Sequence, residues 1–68
     1  MIDTALLIKK IDDSGLKKGF IAEKINMTYA NFWRMLESGA EFKPSQINVL
    51  CDLLRIEDPE ERKQIFLI

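Results

Sequence analysis

The side chains best suited to act on another molecule are cations interleaved with aromatics between residues 17 and 38. Lys17 and Lys18 are adjacent, Arg34 follows Trp33, and Tyr29 stands four residues before Trp33. A lysine ammonium attracts an anion as a point charge, whereas the planar fork of Arg34 pairs with two acceptors at once, on a phosphate or a guanine edge. Covalent and metal chemistry have no comparable basis. There is no histidine and one cysteine, Cys51, so the chain offers no thiol-imidazole pair, no zinc ligand set and no intramolecular disulfide. The acidic group Glu57, Asp58, Glu60 and Glu61 lacks calcium-loop spacing and reads as helix capping. No catalytic residue, metal or cofactor is expected, and neither is an enzyme.

The elements that carry these residues follow from hydrophobic spacing. With 68 residues, 47% apolar and 31% charged, the chain reads as one folded domain spanning 1–68, too short for a second and too apolar for disorder. Asp3 is a cap for a first helix with the stripe Leu7, Ile8 and Ile11, stopped by Gly15. Ile21, Ala22 and Ile25 share one face of a second segment, 17–25, with Leu16 ahead of it as a staple residue and Asn26 fitting a left-handed turn. Thr28 caps a third helix whose buried stripe is Phe32, Met35 and Leu36, ended by Ser38-Gly39. Ser45 is expected to cap a fourth, with Ile47, Leu50, Cys51 and Leu54 inward. Asp58-Pro59-Glu60-Glu61 opens a fifth helix over about 59–68. No alternating strand pattern, repeat or glycine-rich phosphate loop interrupts this order, so the expected fold is all-α, a compact bundle of five short helices.

The short turn across 17–38 predicts two helices that cross steeply and leave one side of the second exposed. Here the chain resembles the Cro and phage-repressor helix-turn-helix family, a lambda-repressor-like DNA-binding domain. The likeness rests on Leu16-Lys17-Lys18, Ala22-Glu23-Lys24-Ile25, Asn26-Met27-Thr28 and Phe32-Trp33-Arg34-Met35, and with Pro44-Ser45 it covers about residues 2–56. More narrowly, Phe32-Trp33-Arg34-Met35-Leu36 with Ser38-Gly39 and the Asp-Pro-Glu-Glu tail are similar to small regulators of Gram-positive phages and prophages. Ala22 matches the family's small residue at the helix crossing. Asn26 stands where the family has a turn glycine, Phe32 replaces a branched apolar residue, and Lys18 replaces a polar residue, often glutamine, that binds phosphate.

By this resemblance Thr28, Tyr29, Ala30, Trp33 and Arg34 meet base edges in the major groove, with Ala30 placed to touch a thymine methyl, and Lys17, Lys18, Asn31 and Lys43 contact phosphates. Two lysines at a helix N-terminus oppose the helix dipole, by about 0.3–1 kcal/mol per charge, and an anion there relieves it. The alternative is a pair of solvated surface lysines. On the wheel Ala30, Arg34 and Glu37 lie opposite the core stripe while Tyr29 and Trp33 occupy one flank. Trp33 either packs beneath the first helix or stands out as an apolar contact for DNA or another protein.

The resemblance implies operator occupancy by a homodimer on two half-sites about one helical turn apart. The terminal Ile65, Phe66, Leu67 and Ile68 cannot all enter a small core, so Ile65, Phe66 and Ile68, with Leu54 or Ile56, are expected at an isologous subunit contact unless the tail docks on its own domain. Charge gives the double-stranded DNA operator a rival. The chain's net charge is −1, yet 15–43 holds five basic against three acidic groups and 44–68 three against five. Glu37 and Glu41 near the expected DNA face, together with Tyr29 and Trp33, suit an antirepressor that engages a phage repressor protein instead. Apolar runs of four residues are far short of the roughly 20 that cross a bilayer, and with a free thiol and no export signal the cytoplasm is the expected compartment.

Overall fold

Local signals in the sequence set where each helix starts and stops. The computed structural model describes residues 2–67, which form α1 (Thr4–Ser14), α2 (Lys18–Lys24), α3 (Tyr29–Ser38), α4 (Pro44–Leu54) and α5 (Pro59–Phe66), with no strand among them. Asp3 Oδ1 accepts the Leu6 N–H at 3.2 Å, Thr28 Oγ1 the Asn31 N–H at 3.1 Å and Asp58 Oδ1 the Glu60 N–H at 3.0 Å, so three helices begin on the caps expected. Thr28→Ala is expected to cost about 1 kcal/mol and to lower the thermal midpoint by about 4–8 °C. Circular dichroism melting checks this, and an unchanged midpoint would mean that water caps α3 equally well.

One cap differs. Ser45 was the expected cap of the fourth helix, but Lys43 occupies the cap, Pro44 the first turn, and Ser45 lies inside. Proline lacks the N–H that the first turn leaves unpaired, and its fixed φ suits that position. The Lys43 N–H is instead taken by Gln46 Oε1 at 2.9 Å.

The turn between α2 and α3 depends on a left-handed residue. Asn26 has φ 59°, the Met27 N–H reaches the Ala22 carbonyl at 2.9 Å, and the Asn26 N–H reaches Glu23 at 3.1 Å. These two bonds close the end of α2 and return the chain toward α3 within residues 25–28. Ala22, 1% exposed, is buried at this end of α2, and α2 and α3 form the most extensive helix pair.

The core contains most of the predicted stripes: Leu7 and Ile11, then Ile21, Ala22 and Ile25, then Phe32 and Leu36, then Ile47, Leu50, Cys51 and Leu54, with Met35 partly buried, whereas Ile8, expected in the first stripe, is only half-buried and outside the core. Phe42, from the loop before α4, joins them and tilts its ring at 55° against Phe32, centroids 6.1 Å apart. α1 packs on α3, α4 and α5 together. The Asp3 N–H donates to the Ile65 carbonyl at 2.7 Å, and Lys10 Nζ lies 2.7 Å from Glu61.

That closure corrects the expected subunit contact. Ile65 and Phe66 are 1% and 2% exposed within the chain's own core, and Leu54 and Ile56 are also buried. The tail docks on its own domain because α1 supplies an apolar face and Asp3, its cap, a backbone donor. Leu67 stays exposed, and Ile68 lies outside the described residues.

Candidate functional site

With Phe32 and Leu36 fixed inward and Met35 half-buried beside them, the rest of α3 is turned to solvent. Thr28, Tyr29, Ala30, Asn31, Trp33, Arg34 and Glu37 are all exposed, Tyr29 at 56%. Thr28 already uses one hydroxyl acceptor site in its cap. Arg34 makes no ion pair or side-chain hydrogen bond among the described residues, so its guanidinium is available to an outside partner.

Trp33 takes neither of its two expected positions in full. Its indole is 37% exposed, and the Lys18 ammonium lies 5.2 Å from the ring centroid. A cation over an aromatic face is held by the ring quadrupole. Lys18 also approaches Asp12 Oδ1 at 3.8 Å, which leaves its side chain only 25% exposed. Lys18 is therefore less open than a solvated surface lysine, whereas Lys17, at the cap position of α2, is exposed.

The start of α2 and the N-terminal end of α3 form one surface. Lys17, Lys18, Gly19, Phe20, Glu23 and Tyr29 line a shallow groove, and Tyr29 Cδ1 lies 3.9 Å from where a Cβ on Gly19 would stand. Lys18 connects this groove to Trp33. Phe20, absent from the sequence reading, is 42% exposed, with Lys24 5.3 Å above its ring. Its place next to Ile21, one step off the buried stripe, was the signal for an outward aromatic. Lys43 lines a separate depression with Lys24, Asn26 and Gln46, so the structure does not gather it with Tyr29 and Lys17. Glu37 and Glu41 are exposed acidic groups.

Among the described residues no group of three His, Cys, Asp or Glu side chains is placed to hold a metal ion, and no helix is long and apolar enough to cross a membrane. Burial pushes the Cys51 thiol above its ordinary pKa, an effect that nearby Arg62 opposes. No family model matches this chain, and no curated protein and no solved structure matches it.

Proposed function

We propose that this chain is a small sequence-specific DNA-binding transcriptional regulator of the Cro and repressor type, with α2, the Asn26 turn and α3 acting as a helix-turn-helix. The observation that carries the reading is Arg34, exposed and without a partner among the described residues, on the outward side of a helix whose opposite side is locked into the core. A bidentate donor so placed suits a guanine edge, and Lys17, in the groove that Tyr29 also lines, suits a phosphate. Tyr29, Ala30 and Trp33 complete the reading surface. A domain this small covers about 600–1,000 Å² of DNA, which favours a homodimer on paired half-sites. Ile65 and Phe66 take no part in that pairing, since both are buried in the chain itself.

A second reading has its own observation. Tyr29 and Phe20 expose rings around one groove, with Trp33 beside it through Lys18. Aromatics exposed in this way suit a protein partner such as a repressor.

Salt separates the two. In a mobility-shift titration with a randomised duplex pool, affinity should fall with salt at a log-log slope of about −0.9 per phosphate neutralised. Lys17→Ala should weaken all duplexes alike and reduce that slope by about 1. No retardation at low salt by dimeric protein would remove the DNA reading.

A further inference from the structure

We infer that the groove shared by α2 and α3 binds single-stranded nucleic acid, with an unpaired base stacked on the rings of Phe20 and Tyr29 beside the bare backbone of Gly19. The inference goes beyond the duplex reading and does not depend on it. Phe20 on α2 and Tyr29 on α3 line this groove with 42% and 56% of their surface exposed, so both rings offer a face to an outside partner. Gly19 answers no local need. It has no left-handed φ, unlike Gly15 and Gly39, and a glycine within a helix is less stable than an alanine. Packing does not exclude a side chain either, since a Cβ there would meet Tyr29 Cδ1 at 3.9 Å, an ordinary contact. The missing methyl leaves a gap beside the Tyr29 ring, and a flat base can lie in it.

Both a protein and an unpaired strand bring groups that cover exposed rings, and the charge of the groove decides between them. Lys17 and Lys18 line it and Lys24 stands 5.3 Å over the Phe20 ring, while Glu23 is the one acid among the described residues that line it. Lys18 is partly answered by Asp12 at 3.8 Å, so Lys17 and Lys24 carry the attraction. Lysine, strongly hydrated, is depleted at protein interfaces. A strand makes use of it. Each nucleotide sets a phosphate beside its base, so rings with cations next to them match the strand's alternation of flat face and charge. A duplex keeps its base faces stacked inside, and the groove therefore favours unpaired segments.

The test is the fluorescence anisotropy of a short end-labelled oligothymidylate titrated with the full chain. Affinity should fall with salt at a log-log slope of about −0.7 per phosphate neutralised. Phe20→Ala and Tyr29→Ala should each weaken the strand about 5- to 150-fold, the worth of one stacked base. Phe20→Leu should weaken it likewise, because leucine keeps apolar bulk and has no face, whereas Phe20→Trp should retain it. Gly19→Ala should lower strand affinity without lowering the melting midpoint followed by circular dichroism, since a methyl fills the gap and favours the helix. Parent affinity in both Phe20→Leu and Gly19→Ala overturns the stacking inference. So does a Phe20→Ala effect that is unchanged once the complementary strand is annealed, because the groove would then not be taking unpaired bases. No anisotropy change at low salt also overturns it and leaves the groove to the protein reading.

Discussion

Replacing Phe32 by alanine should leave the chain without a cooperative unfolding transition. Phe32 is wholly buried on the inner side of α3, its ring centroid 6.1 Å from that of Phe42. Truncating such a ring costs about 3–5 kcal/mol, the transfer of the ring plus the cavity left behind. At roughly 0.05–0.15 kcal/mol per residue, a chain of this length has a total stability of the same order. Urea titration followed by circular dichroism at 222 nm measures it directly. Phe32→Leu, which keeps most of the volume, should still unfold cooperatively at a lower midpoint. If Phe32→Ala melted within a few degrees of the parent chain, the arrangement in which one ring joins α3 to the loop after it would be wrong.

Arg34→Ala should have the largest effect on function with the fold intact. The side chain has no internal partner among the described residues and is exposed, so its loss leaves no buried group unsatisfied. On the DNA reading it removes one bidentate contact, worth about 1–3 kcal/mol or roughly 5–150-fold in affinity. Arg34→Lys should restore only part of that, because a point charge keeps the attraction and loses the planar fork. Binding of a selected duplex by fluorescence anisotropy, at one fixed salt concentration, checks both variants. If Arg34→Ala left duplex affinity unchanged and Trp33→Ala abolished capture of a repressor protein, the second reading would replace the first.

The helices were legible wherever a local rule acts. Asp3, Thr28 and Asp58 announce helix starts because each side chain reaches a backbone N–H two or three residues ahead. Gly15, Gly39 and Asn26 announce stops because each adopts a positive φ. Arg55 follows no such rule. It ends α4 at φ 57° because the Ile56 N–H then reaches the Cys51 carbonyl at 2.9 Å and Ile56 is buried, a choice made by packing.

Contacts between distant residues escaped the sequence for the same reason. Nothing near Ile65 or Phe66 signals that α1 will receive them, since the Asp3 bond to Ile65 closes over almost the whole chain. Phe42 sits in a loop whose spacing has no period to read, yet its ring reaches the core. At the candidate site the phase of α3 was legible, because Phe32 and Leu36 fix which residues face out. The hold of Lys18 on Trp33 was not, since it depends on how two helices meet.

The seating of Trp33 under Lys18 gives the chain an optical property of its own. It is the single tryptophan in the sequence, and it lies partly exposed on the face proposed to meet a partner. Light emitted at the indole therefore comes from one place only, and its colour and brightness depend on water and charge at that spot. Occupancy of the helix face can be followed on the unlabelled chain, with no dye to disturb the contact it is meant to watch.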